Sequence, residues 1–135
     1  YENKALIKLI NEFDLMDEII ISEENNKVNE IFAIIDICIL TSNSECFPNV
    51  LIESMATGTP CVSTNVGDAK KIISNTGWTI NDFSYLTLSK KLEMINQEGK
   101  SFVGQMEKTC RDRVIKNYSI EKMILSYKKI YDGFS

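Results

Sequence analysis

The chain has 135 residues, 44% of them hydrophobic and 25% charged, with a formal net charge of −4 and no histidine. That length supports one domain with a real core. The acidic balance argues against a nucleic-acid module, whose footprint is basic, and gives no reason to expect attraction to an anionic membrane.

In chain order, Ala5, Leu6, Leu9, Ile10 and Phe13 recur at helical spacing, so residues 2–13 read as an amphipathic helix. Residues 18–21 read as a short apolar strand, and 23–27 as a polar connection. Val28, Ile31, Phe32 and Ile35 form a second helix face, and residues 36–41 are too short and apolar for anything but a buried strand. A polar loop, 42–46, follows. Pro48 suits the first position of a helix, because its missing N–H has no partner there in any case. Gly58 and Pro60 end that helix: glycine takes the left-handed cap and proline cannot continue the turn. Residues 61–64 are the next strand. Gly67 permits a turn, Asp68 is placed to cap a short helix over 69–74, and a last strand covers 78–80.

From Tyr85 the chain reads as wholly helical, with Leu88, Leu92 and Ile95 on one face and Phe102, Met106, Cys110 and Val114 on a second. Ile120, Ile124, Tyr127 and Tyr131 form a third face, with Ser119 as its cap. The alternation predicts an α/β fold: a Rossmann-like, three-layer arrangement of about four parallel strands flanked by helices, with a helical C-terminal tail. Residues 1–80 form the α/β core and 81–135 the C-terminal helices of a single partial domain.

Cys38, Cys46, Cys61 and Cys110 contain no C-x-x-C pair, so with no histidine the usual zinc ligand sets are absent. Cys38 and Cys61 read as small buried hydrophobes, and a reducing cytoplasm fits. No apolar run approaches the roughly eighteen residues of a membrane span, and there is no signal-peptide pattern.

The loop at 42–46 sits at the C-terminal end of a strand, where open α/β sheets bind ligands. The leading amides of the helix after Pro48 lack intrahelical acceptors, and the macrodipole adds roughly half a positive charge there. A phosphate fits against the Asn49 and Val50 N–H groups. Glu53 lies one turn beyond Asn49 on the same face. Its carboxylate would repel phosphate, so it suits a neighbouring diol such as ribose. Glu45, ahead of the helix, suits a second hydroxylated group. The pattern suits a sugar nucleotide.

The run E-C-F-P-N-V-L-I-E-S-M-A-T-G-T-P-C-V-S-T resembles the E-x7-E segment of retaining glycosyltransferases of family 4, the GT-B group also called glycosyl transferases group 1. Downstream, T-N-V-G-D-A-K-K-I-I-S-N-T-G-W-T-I continues the likeness. The resemblance implies that the chain belongs to the C-terminal, donor-binding domain. It also implies that Glu53 holds the donor ribose, that Glu45 contacts the donor sugar as the catalytic candidate, and that Ser44, Phe47, Asn49 and Val50 complete the nucleotide-sugar site. A hexosyl transfer from a UDP-sugar, without a metal, is the expectation. The acceptor would be a glycan, lipid-linked or small-molecule hydroxyl bound by an N-terminal domain that this chain lacks.

Lys71 stands where that family usually carries glutamate. The family's diphosphate-neutralising Arg and Lys come from strands that precede the matched region, so the resemblance implies a truncated, inactive piece that self-associates through an exposed sheet edge. The expected setting is the cytoplasm, with the cytoplasmic face of a membrane as the alternative for the parent. Two other readings fit the same architecture: a non-catalytic binding or interaction module, and another GT-B enzyme such as a sugar-nucleotide epimerase.

Overall fold

A computed structural model describes residues 3–22 and 27–133. Residues 1, 2, 23–26, 134 and 135, on which parts of the first expected helix and of the 23–27 connection fall, lie outside the described residues. Three parallel strands, β1 (Cys38–Leu40), β2 (Cys61–Thr64) and β3 (Gly77–Ile80), lie in the order β1-β2-β3. The described residues also form six helices: α1 (Lys4–Glu12), α2 (Val28–Phe32), α3 (Asn49–Ala56), α4 (Ala69–Ile73), α5 (Tyr85–Tyr118) and α6 (Ile120–Asp132). Among the described residues, no helix is long and apolar enough to cross a membrane.

Each strand connects to the next through a helix, as parallel pairing requires. The register sets Cys38 against Cys61 and Gly77, while Ile39, Val62 and Trp78 line the opposite face. The first face carries the core: Leu51 and Met55 of α3, Ile72 and Ile73 of α4, and Cys110 and Val114 of α5 are all buried around Cys61. The hydrogen-bonded neighbour Cys38 and then burial push the Cys61 thiol well above its ordinary pKa, and desolvation pushes Cys110 up to about 11.

Gly99 breaks α5 with φ 81° and ψ 168°, backbone that no helical residue adopts. Before the break, Ile95 is buried, and just past it Phe102 stacks on Trp78 at 6.3 Å between ring centroids. Further on, the Cys110 thiol donates to the Thr76 carbonyl (3.2 Å) and Arg111 Nε donates to the Ala56 carbonyl (3.2 Å). Ile95 and Phe102, on either side of the break, thus lie by Trp78, while Cys110 and Val114 further along reach the core face.

The strand expected over 18–21 does not form: these residues make no ladder, and Ile20 is 95% exposed. The described sheet therefore has three strands rather than about four. Three consecutive isoleucines carry strand propensity, but a strand exists only where a neighbour accepts its hydrogen bonds. Pro48 is also displaced by one position. It is the N-cap of α3, with extended ψ of 95°, and Asn49 is the first helical residue. Asp68 occupies the N-cap position of α4 without a side-chain capping bond; its carboxylate instead faces Lys71 Nζ at 3.7 Å. The Gly58 ending is as expected. Gly58 has φ 97°, its N–H reaches the Met55 carbonyl, and the Thr59 N–H reaches the Ser54 carbonyl, each at 3.1 Å. This is the paired closure of a left-handed helix cap.

Candidate functional site

The C-terminal end of β1 runs into the loop carrying Ser42, Asn43, Ser44 and Glu45, and two bonds fix its course. Thr64 Oγ1, at the end of β2, donates to the Ser42 carbonyl at 2.7 Å. Ser42 Oγ in turn donates to Glu45 Oε1 at 2.7 Å. Glu45 is half-buried and held by a charge-assisted bond, with its remaining acceptor capacity available to a ligand hydroxyl.

The turn after β2 braces the same loop from the other side. Asp68 N–H donates to the Cys46 carbonyl at 3.1 Å. Gly67, at φ 49°, passes so close that any side chain there would strike the carbonyl oxygens of Glu45 and Cys46. Glycine at 67 is thus a packing requirement of the loop that presents Glu45.

Pro48 then closes the loop and starts α3. No side chain caps this helix; Leu51 N–H turns back to the Pro48 carbonyl at 3.2 Å, leaving the Asn49 and Val50 amides ahead of it. With the helix dipole, those amides make a place for negative charge. Asn49 and Glu53 are both exposed and share one face of α3. Val50 is half-buried against the core.

The structure thus brings Glu45, Asn49, Val50 and Glu53 onto one strand–loop–helix unit. It does not join Glu45 to Glu53 by any hydrogen bond: Glu45 is turned onto Ser42. Ser44 is exposed on the same loop. Phe47 has a structural partner of its own, packing edge-to-face on Tyr118 at 6.1 Å and 63°.

Tyr118 was invisible as a site-supporting residue in the sequence. Its hydroxyl donates to the Lys71 carbonyl at 3.3 Å, and Arg113 lies over its ring at 6.0 Å. Arg113 Nε also donates to the Ile72 carbonyl at 2.6 Å, and its Nη2 donates to the Lys71 carbonyl. The end of α5 thereby ties the C-terminal end of α4 to Phe47. Partners more than forty residues apart leave no local pattern to read. The Ser42–Glu45 bond, by contrast, spans three residues and is the kind of turn contact that a serine three positions before a glutamate can signal.

The chain is 26% identical over 131 residues to the N-acetyl-alpha-D-glucosaminyl L-malate synthase of Bacillus anthracis, covering 94% of this chain and 34% of that relative. Among solved structures it is similar to a sucrose-phosphate synthase from Thermosynechococcus elongatus (TM-score 0.83, 22% identity, 98% of this chain and 34% of that one). A glycosyltransferase from Rickettsia africae ESF-5 superposes equally well (TM-score 0.83, 25% identity, 96% and 35%). The chain spans about a third of the length of each. These neighbours share the GT-B architecture. The model of the glycosyl transferases group 1 family matches residues 1–124, and the chain belongs to that family.

Proposed function

We propose that the chain is the donor-binding part of a retaining family 4 glycosyltransferase that moves a hexosyl group from a nucleotide-diphosphate sugar to an acceptor hydroxyl. The observation that carries this reading is the unit just described: a carboxylate held by Ser42 at the C-terminal end of a parallel sheet, followed by an uncapped helix start with Glu53 one turn in. In this reading the Asn49 and Val50 amides take the diphosphate, Glu53 accepts from the ribose hydroxyls, and Glu45 accepts from the sugar. Ser44 and Phe47 flank Glu45 in the sequence and complete the proposed site, with Phe47 braced by Tyr118. Charge developing on the departing diphosphate is met by oriented amides, which need no reorganisation at the moment of reaction.

UDP is the proposed nucleotide, and the chemistry needs no metal. The acceptor is a glycan, lipid-linked or small-molecule hydroxyl, most of it held by the remainder of a parent roughly three times this length. The proposed setting is the cytoplasm. Alone, the chain binds donor without turning it over. The outer rim of β1 has no strand beside it among the described residues, and such a rim is a template for pairing. Self-association through it is therefore part of the proposal, and light scattering that shows only monomer at high concentration overturns that part.

Calorimetric titration of the chain with UDP, GDP and ADP tests the donor site. Binding of one diphosphate, weakened at least tenfold by Glu53→Ala, is the expected result. Undiminished affinity in the variant overturns the ribose role of Glu53.

A further inference from the structure

A cavity of about 150 Å³ opens at the C-terminal ends of all three strands, with no residue of α3 in its lining. Ile80 floors it, Thr41, Asn43 and Thr64 form one wall, and Phe83 and Tyr85 form the rim. Two features set it apart from a chance surface dent. The rim residues are large aromatics left in water, Phe83 61% and Tyr85 78% exposed, on either side of the Ser84 N-cap of α5. Isolated exposed apolar residues are ordinary, but two exposed aromatics lining one concave cavity are what interaction sites use. The polar lining is also neutral and partly uncommitted. Thr64 Oγ1 is bound to the Ser42 carbonyl, whereas the Asn43 carboxamide makes no hydrogen bond among the described residues. Among the described residues, no charged side chain lines the cavity.

A phosphate has nothing to hold it here. A ring with an apolar face and hydroxylated edges does: its C–H face lies on an aromatic side chain, and its hydroxyls meet the Asn43 amide and the Tyr85 hydroxyl. The volume is about five waters' share of liquid, which matches one ring rather than a chain of them. The wall residues Thr41 and Asn43 belong to the loop that presents Glu45, so an occupant sits next to the proposed transfer site.

We propose that this cavity is a carbohydrate subsite, taking one pyranose ring of the acceptor or product, distinct from the diphosphate-binding start of α3. The assignment to acceptor or product rests on the glycosyltransferase reading; the pyranose class rests on the lining.

Saturation-transfer NMR on the 135-residue chain, with methyl α-glucopyranoside and N-acetylglucosamine as probes at millimolar concentration, reads the site directly. Transfer to the sugar that falls at least threefold in Phe83→Ala and in Asn43→Ala, and survives in Glu53→Ala, supports the subsite. Loss in Glu53→Ala with retention in Phe83→Ala overturns it, because the sugar is then in the donor site. Absence of transfer to both probes overturns it, and so does transfer to uridine but not to the sugars. UDP titration on the same variants keeps the two proposals apart. Phe83→Ala leaves UDP binding unchanged if the subsite is separate, and failure of wild-type chain to bind UDP sinks the donor reading without touching the sugar signal. Both side chains are exposed, so neither substitution removes core packing.

Discussion

Two helices of this chain invert what their sequences advertise. α6 runs for thirteen residues with Ile120, Met123, Ile124, Tyr127 and Tyr131 recurring at helical spacing, yet none of its residues is buried. α3 is eight residues long and less clearly two-faced, yet Leu51, Ser54 and Met55 are completely enclosed. The difference lies in the neighbours. α3 is gripped by β1 and β2 beneath it and by the second half of α5 above, whereas α6 packs mainly against α5 among the described residues. An apolar stripe creates the possibility of a core; a surface to meet it creates the core itself. The same contrast separates Cys61, sealed between two strands, from Ile39 of β1, which is 45% exposed at the sheet's rim.

The comparison breaks most directly at Leu51. Leu51→Ala removes a fully enclosed side chain and is expected to cost about 2–5 kcal/mol, read as a fall in urea midpoint with unchanged slope. A loss under 1 kcal/mol would mean that α3 is not the centre of the core. Next in size is Gly67→Ala, whose added methyl meets the Glu45 and Cys46 carbonyls. The expected loss is about 1–3 kcal/mol, accompanied by weakened UDP binding because the displaced loop carries Glu45. A variant that is destabilised but binds normally would detach Glu45 from the donor site.

Alkaline pH sharpens the contrast between buried and exposed thiols. The Cys110 pKa rises from 9.0 to about 11 on folding, through desolvation. Between those values the unfolded chain has lost a proton that the folded chain keeps. Stability therefore falls as pH rises from 9 towards 11. The fall is expected to be shallower in Cys110→Ala than in wild type, measured by urea unfolding across that range. A matched thiol count at pH 8 with a bulky aromatic disulfide reagent should find one fast group, Cys46, and three that react only on unfolding.

Much of the central segment was legible because its signals are local. β2 begins and ends at the residues its sequence indicates, the Gly58 ending closes as glycine followed by proline predicts, and the Ser119 side chain does accept from the Lys122 N–H at 3.4 Å. The misreadings depended on distant partners. Residues 18–21 have strand composition, but whether they pair depends on what lies beside them, not on the isoleucines. Pro48 sits one place earlier than expected because a proline of suitable φ serves as N-cap or as first helical residue, and composition does not choose between them. Asp68 caps nothing because Lys71, one turn on, offers its carboxylate an ion pair instead. The site divides in the same way. Its carboxylates and helix start were readable in sequence order, while the Arg113–Tyr118–Phe47 brace spans a distance that no window covers.

The smallest expected effect is on α6, and it is the most discriminating. With no residue buried, Ile124→Ala should change global stability by no more than about 0.5 kcal/mol, although the same truncation at an enclosed position costs several-fold more. Ser119→Ala, which removes a cap worth about 1 kcal/mol to its helix, should likewise leave the urea midpoint nearly unmoved while speeding amide exchange in residues 120–132. Exchange in α3 should stay at the rate set by global unfolding in both variants, because the elements that enclose it are unchanged. If either substitution instead lowers the global midpoint by a full kcal/mol, α6 is packed against something in solution. The exposed stripe of the last helix would then belong to an assembly of this chain, to be sought by the same light scattering that tests the β1 edge.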